Sequence, residues 1–171
     1  MQRITIIGTS CSGKTTLANR LSQKLNIPHL ELDQLHWREN WTINPNFMTE
    51  VESATSQPEW VIDGNYTKVR QLIWNNADTL IWLNYSFPLV FFRALKRSYR
   101  RVTTKKKLFG GNVETWQITL FSSDSILWWV IKTYRRRKRE YSIIMQSEDY
   151  PHINKIELKS PKELERFLRN L

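Results

Sequence analysis

A single cysteine, Cys11, occurs among 171 residues, so no internal disulfide can staple the chain and its stability must come from a packed core. Five glycines and six prolines are too few for a collagenous or low-complexity chain, and no internal repeat is present. No uncharged run approaches the ~20 residues that span a bilayer. The longest, Thr79 to Phe92, is short and broken by Pro88. A strand-like pattern starts at the third residue, which leaves no room for a secretory leader and, with the lone thiol, predicts a cytoplasmic protein.

Acid is also scarce: 16 Asp and Glu face 26 Lys and Arg, for a net charge of +10. The imbalance is local. Met1 to Tyr85 holds seven basic residues against eight acidic ones, whereas Arg93 to Arg139 holds 14 against only Glu114 and Asp124. This spread argues against a wholly basic nucleic-acid-coating surface and for one segment aimed at a polyanion.

What is present is the composition of one folded domain over residues 1–171, with 40% apolar and 25% charged residues. Apolar runs at 3–7, 28–32, 60–62, 79–83 and 153–158 predict five buried strands. Leu17, Leu21 and Leu25 recur every four residues and predict a helix over 14–25. Further helices are expected from Pro88 through Arg101, from Ser123 to Tyr141, and after Ser160, where Ser-Pro-Lys-Glu makes a capping box. Buried strands alternating with helices imply an α/β fold around a five-stranded parallel sheet, with ligands at the carboxyl ends of its strands.

Between the first strand and first helix, Gly8-Thr9-Ser10-Cys11-Ser12-Gly13-Lys14-Thr15-Thr16 fits the phosphate-binding pattern G-x-x-x-x-G-K-[ST] without a mismatch. Its glycines let successive N–H groups turn inward around phosphate oxygens, and the helix N-terminus adds partial positive charge. Lys14 is placed to reach the β- and γ-phosphates of ATP, and the Thr15 hydroxyl to ligate Mg²⁺. Cys11 fills a variable position, with nothing in the sequence to activate its thiol.

Two strand-end acids follow, Asp33 in LELDQLHW and Asp63 in WVIDGNY. At the sheet's carboxyl edge such carboxylates organise a metal ion or accept the proton of an attacking hydroxyl; capping the next segment is the plainer reading. His36, Trp37 and Trp41 stand beside Asp33 as pocket-shaping or packing residues. Downstream, Arg93, Arg97 and Arg100 or Arg101 share one helix face. Arg135 opens the run RRRKR, and KKKLFGGN between the helices has the glycines of a moving flap. Planar guanidinium groups suit the charge that spreads over a transferring phosphoryl group.

The order GxxxxGKT, LDxLHW, WVIDGNY and DTLIWLN followed by FFRALKR resembles the adenylate-kinase-like P-loop proteins known as DNA topology modulation proteins, over essentially the whole chain. The resemblance implies a nucleoside-monophosphate-kinase core, with ATP and Mg²⁺ at the loop and an acceptor site between strands two and three. It implies an acceptor-binding segment over 33–58 and a basic lid region over 98–139. By the same likeness Asp63-Gly64 organises the metal's water shell and Arg93 and Arg97 touch the triphosphate; the basic run adds Arg135 as a further nucleotide-binding candidate. The acceptor is assigned to Asp33, His36, Trp37, Arg38, Gly64, Asn65 and Tyr66.

One departure matters. Where adenylate kinases continue past Asp-Gly to an arginine for the acceptor's phosphate, this chain reads Asn65-Tyr66-Thr67-Lys68, leaving Arg38, Lys68 or Arg70 as substitutes. An acceptor without a phosphate is thus as well supported as a nucleotide. Two functions follow: an ATP-dependent kinase of a nucleotide, nucleoside or other small hydroxyl compound, or a nucleotide-dependent DNA-binding protein using the basic segment. A third reading lays the stretch ILWWVIKTYRRRKR on a membrane surface.

Overall fold

In the computed structural model, residues 1–105, 107–113 and 125–171 are described. The flap residue Lys106, the acids Glu114 and Asp124, and the expected helix start at Ser123 lie outside the described residues. Five parallel strands, β1 (Arg3–Gly8), β2 (His29–Glu31), β3 (Trp60–Asp63), β4 (Thr79–Leu83) and β5 (Asn154–Leu158), form one sheet in the order β2-β3-β1-β4-β5. Among the described residues seven helices accompany them: α1 (Lys14–Leu25), α2 (Leu32–His36), α3 (Phe47–Thr55), α4 (Thr67–Asn76), α5 (Phe87–Thr103), α6 (Ile126–Gln146) and α7 (Pro161–Arg169).

Because side chains alternate along a strand, each face of the sheet builds its own core. On one face Ile4, Ile6, Ile81 and Leu83 pack with Leu17 and Leu21 of α1, Ala94 of α5 and Leu168 of α7. On the other, Ile7, Ile62 and Trp82 pack with Val51 of α3 and with Val69 and Ile73 of α4. Helix α6 serves both, giving Val130 and Tyr134 to the first core and Tyr141 to the second. The Tyr134 hydroxyl donates to the Tyr85 carbonyl at 2.9 Å, fixing α6 at the carboxyl edge of the sheet.

Most expected elements stand within a residue or three of their predicted bounds. Asp33 does not end a strand: β2 stops at Glu31, and Asp33 lies in the first turn of α2. The capping box before α7 is half as expected. Ser160 Oγ accepts from the Glu163 amide at 3.2 Å, while the Glu163 carboxylate accepts from the Lys159 amide at 2.7 Å instead of the Ser160 amide.

Candidate functional site

The phosphate-loop residues 8–16 surround the N-terminus of α1 as the pattern requires. Residues 10–16 line a cavity of about 900 Å³ together with Glu31, Asp33, Asp63, Arg93, Arg97 and Arg101. Lys14 folds along the loop, its Nζ donating to the carbonyls of Gly8 (3.1 Å) and Thr9 (3.3 Å). Burial lowers the pKa of its ammonium, with Asp63 opposing and Arg137 reinforcing the shift.

The Thr15 hydroxyl is 2.8 Å from Asp63 Oδ2 and 3.2 Å from Glu31 Oε1. Asp63, 3% exposed, is held from its other oxygen by His29 Nε2 at 2.7 Å, and His29 Nδ1 lies 3.1 Å from Asn19 Oδ1. Glu31 completes a group of three carboxylates with Asp33 and Asp63. Its own pKa is raised, first by burial and then by the two neighbouring acids. Sequence reading missed Glu31 and His29; the only signal was their place in the apolar run just before Asp33.

Helix α5 delivers its arginines with helical phase. Arg93 donates from Nη1 to the Ser12 carbonyl at 2.6 Å and lies over the Tyr85 ring at 5.1 Å. Arg97 and Arg101, one and two turns further, also line the cavity, while Arg100 points to solvent. The expected arginine of α6 is displaced by two residues. Arg135 lies on the exposed side, and Arg137, about 200° further round the helix, is half-buried over the Trp129 ring at 5.6 Å, its charge felt at Lys14. Burial lowers the pKa of Arg137. Its Nη1, Arg97 Nε and Ser12 Oγ are buried without a hydrogen-bond partner among the described residues.

The residues assigned to the acceptor divide. Asp33 lines the cavity; His36, Trp37, Arg38, Gly64, Asn65 and Tyr66 do not. Asn65 instead braces the phosphate loop, donating from Nδ2 to the Gly8 carbonyl at 2.6 Å. Gly64, at φ 148°, packs so tightly that a Cβ there would come within 2.7 Å of Leu32 Cβ. The Tyr66 hydroxyl donates to Asp33 Oδ1 at 2.7 Å; burial and the Asp33 charge push its pKa up strongly. His36 sits among Trp37, Phe47 and Tyr66 with ring centroids 4.4–4.8 Å away, and its pKa is lowered by burial. These rings form a wall behind Asp33. Arg38 pairs with Glu50 at 2.9 Å, Arg70 pairs with Glu140 at 2.5 Å and stacks on Trp74, and Lys68 is exposed.

The flap is docked. Lys107, Leu108, Phe109 and Gly110 line the cavity, and their loop clasps the Trp37–Ile43 loop. Each loop is a 3-10 turn closed by an antiparallel bridge, Trp37 to Ile43 and Lys107 to Val113. Asn112 joins them, donating to the Arg38 carbonyl at 2.9 Å and accepting from the Trp41 amide at 3.2 Å. Gly110, at φ 63°, lies flat against the Arg38 backbone.

Among solved structures the chain is similar to two shikimate kinases and a gluconokinase. A shikimate kinase from Acinetobacter baumannii in complex with shikimate is 13% identical with a TM-score of 0.61, covering 99% of this chain and 90% of its own. A shikimate kinase from Bacteroides thetaiotaomicron is 15% identical with a TM-score of 0.55, covering 99% and 95%. A gluconokinase from Sinorhizobium meliloti 1021 is 15% identical with a TM-score of 0.52, covering 99% and 94%. No protein-family model and no curated protein matches the sequence. These likenesses establish an α/β fold of the P-loop kinase type over the whole chain.

Proposed function

We propose that this protein is an ATP-dependent kinase that phosphorylates a hydroxyl group on a small acceptor carrying no phosphate. The observation that carries the proposal is how charge divides among the elements lining the cavity. Its basic side chains, Lys14, Arg20, Arg93, Arg97, Arg101 and Lys107, come from α1, α5 and the flap. Strands β2 and β3 and helix α2 contribute Glu31, Asp33, Gln34 and Asp63 alone. The three cations that the sequence offers for an acceptor's phosphate are paired elsewhere or exposed: Arg38, Arg70 and Lys68. A monophosphate beside three carboxylates would be repelled, whereas a neutral sugar, polyol or nucleoside would find hydrogen-bond partners.

The donor set suits the groups this reaction needs. The unpartnered Ser12 Oγ and Arg97 Nε belong to side chains that line the cavity and suit anionic oxygens, the Arg137 charge lies behind them, and Thr15 with Asp63 and Glu31 offers the oxygen ligands Mg²⁺ takes. When bound, Mg²⁺ neutralises charge on the phosphates. Lys14 and the loop amides hold the triphosphate, and Arg93, Arg97 and Arg137 balance charge on the group in transfer. Asp33, held by Tyr66, accepts the acceptor's hydroxyl proton. The acceptor oxygen bonds to the γ-phosphorus as the bond from that phosphorus to the β–γ bridging oxygen breaks, leaving ADP. The docked flap, with Phe109 and Leu108 over the cavity, excludes water that would otherwise be phosphorylated.

The test is ADP production by the purified protein with Mg²⁺-ATP against matched panels of nucleosides, sugars and polyols, and their monophosphates. Transfer to an unphosphorylated hydroxyl, lost in Lys14→Ala, Asp63→Ala and Asp33→Asn, is expected. Turnover with monophosphates only would overturn the acceptor class, and no turnover with any compound would overturn the kinase.

A further inference from the structure

The whole net charge of the molecule resides on two helices. Helices α5 and α6 carry eleven Lys and Arg against Glu140 alone, leaving fifteen residues of each sign elsewhere from totals of 26 and 16. Four of the eleven are accounted for by the site: Arg93, Arg97 and Arg101 line the cavity and the Arg137 charge is felt at Lys14. The other seven, three of them the consecutive-turn stripe Lys132, Arg135 and Arg139, are exposed, and none forms an ion pair among the described residues.

Large apolar side chains share these exposed faces. On α5, Phe92 is 64%, Leu95 41% and Tyr99 64% exposed, at a spacing of three and four residues that puts them on one stripe with Lys96 and Arg100. On α6, Trp128 is 58% and Ile131 43% exposed, just ahead of the basic turns, while Trp129 lies beneath the Arg137 guanidinium at 5.6 Å. The two helices pack against each other, and each carries its own exposed aromatic, aliphatic and basic groups. Five exposed large apolar residues, Phe92, Leu95, Tyr99, Trp128 and Ile131, on two neighbouring helices exceed what a solvated helix pair requires.

We propose that the outer face of α5 and α6 docks the protein on an anionic phospholipid surface. The chemistry chooses this partner over nucleic acid. Trp and Tyr favour the headgroup boundary, and Leu95, Ile131 and Phe92 gain by entering the acyl region. Leu and Ile give a nucleobase nothing to stack on, and the exposed faces of two packed helices offer no groove to follow a strand. Seven uncompensated cations complement a negative leaflet. Because Arg93, Arg97 and Arg101 leave the inner side of α5, docking seats the cavity close to the membrane without covering it. This inference is independent of the acceptor and of the kinase reading.

Co-sedimentation of the full chain with phosphatidylcholine vesicles, with and without phosphatidylserine, tests it. Binding should need phosphatidylserine and weaken with salt. Lys132→Gln, Arg136→Gln and Arg139→Gln together should weaken it on the order of a hundredfold, at about fivefold per charge. Trp128→Ala with Ile131→Ala should weaken it by roughly tenfold or more, because apolar contact is lost with charge unchanged. All five residues are exposed, and an unchanged melting curve verifies that the variants fold. No sedimentation at low salt, equal binding to both vesicles, or indifference to the Trp128 and Ile131 substitutions would each overturn the proposal. So would binding to random-sequence duplex DNA at a salt concentration where vesicles do not bind.

Discussion

Replacing Gly110 by alanine should release the flap while leaving the protein folded. A Cβ at this position would lie 2.4 Å from the Arg38 carbonyl carbon and 2.6 Å from both the Arg38 oxygen and the Glu39 nitrogen. These are backbone atoms that no rotamer change can move, so the loops must separate. Holding alanine at φ 63° adds about 1 kcal/mol. Separation forfeits the two Asn112 bonds across the clasp, about 1 kcal/mol each. Together the docked state loses about 3 kcal/mol, a shift of roughly a hundredfold in its population ratio. Amide hydrogen exchange reads this directly, because the Trp41 amide is bonded to Asn112 and exchanges only when the clasp opens. Its exchange should quicken by up to that factor in Gly110→Ala, and at least as much in Asn112→Ala, which removes the acceptor itself. Neither clasp loop contributes a buried residue to the two cores, so the melting temperature should stay near the parent value. Unchanged exchange at Trp41 in a folded Gly110→Ala protein would refute the clasp. A melting temperature falling in step with faster exchange would show that the loops are part of the cooperative fold.

The rotational phase of α6 predicts that Arg137→Leu cuts phosphoryl transfer on the order of a hundredfold while Arg135→Leu leaves it unchanged, measured as kcat with saturating ATP. Asn65→Ala removes the bond to the Gly8 carbonyl and should raise the ATP dissociation constant without altering the fold, as calorimetry would report. At Asp78 burial acts to raise the pKa, but hydrogen bonds from Thr79 and the Gln2 and Arg3 amides outweigh it and hold the carboxyl below its ordinary value. That stabilisation is present above the unfolded pKa near 3.8 and is lost as pH falls through the folded value. Asp78→Asn should therefore lower urea-unfolding stability by about 1–2 kcal/mol at pH 7, and the gap from the parent should close as the pH is lowered below that range.

Features that depend on near neighbours along the chain are legible from the residues alone. The strand, loop and helix around Lys14 follow from a nine-residue pattern, and the inward face of α5 follows from the four-residue spacing of Arg93, Arg97 and Arg101. The composition of the two basic helices was equally plain. Tertiary structure decided what those groups meet. Asn65 and Gly64 lie in a motif that reads as acceptor-binding, yet the parallel pairing of β1 with β3 brings Asn65 to the phosphate loop and Gly64 against Leu32. Arg38 and Arg70 were candidates for an acceptor's phosphate until Glu50 and Glu140, 12 and 70 residues away, took them. Within RRRKR, local pattern gives no preference between Arg135 and Arg137. The packing of Tyr134 under Tyr85 and of Tyr141 on Trp82 sets the rotation of α6 and selects Arg137. Local periodicity fixes which residues share a face; only closure of the sheet and its helices, through contacts distant in sequence, fixes what that face confronts.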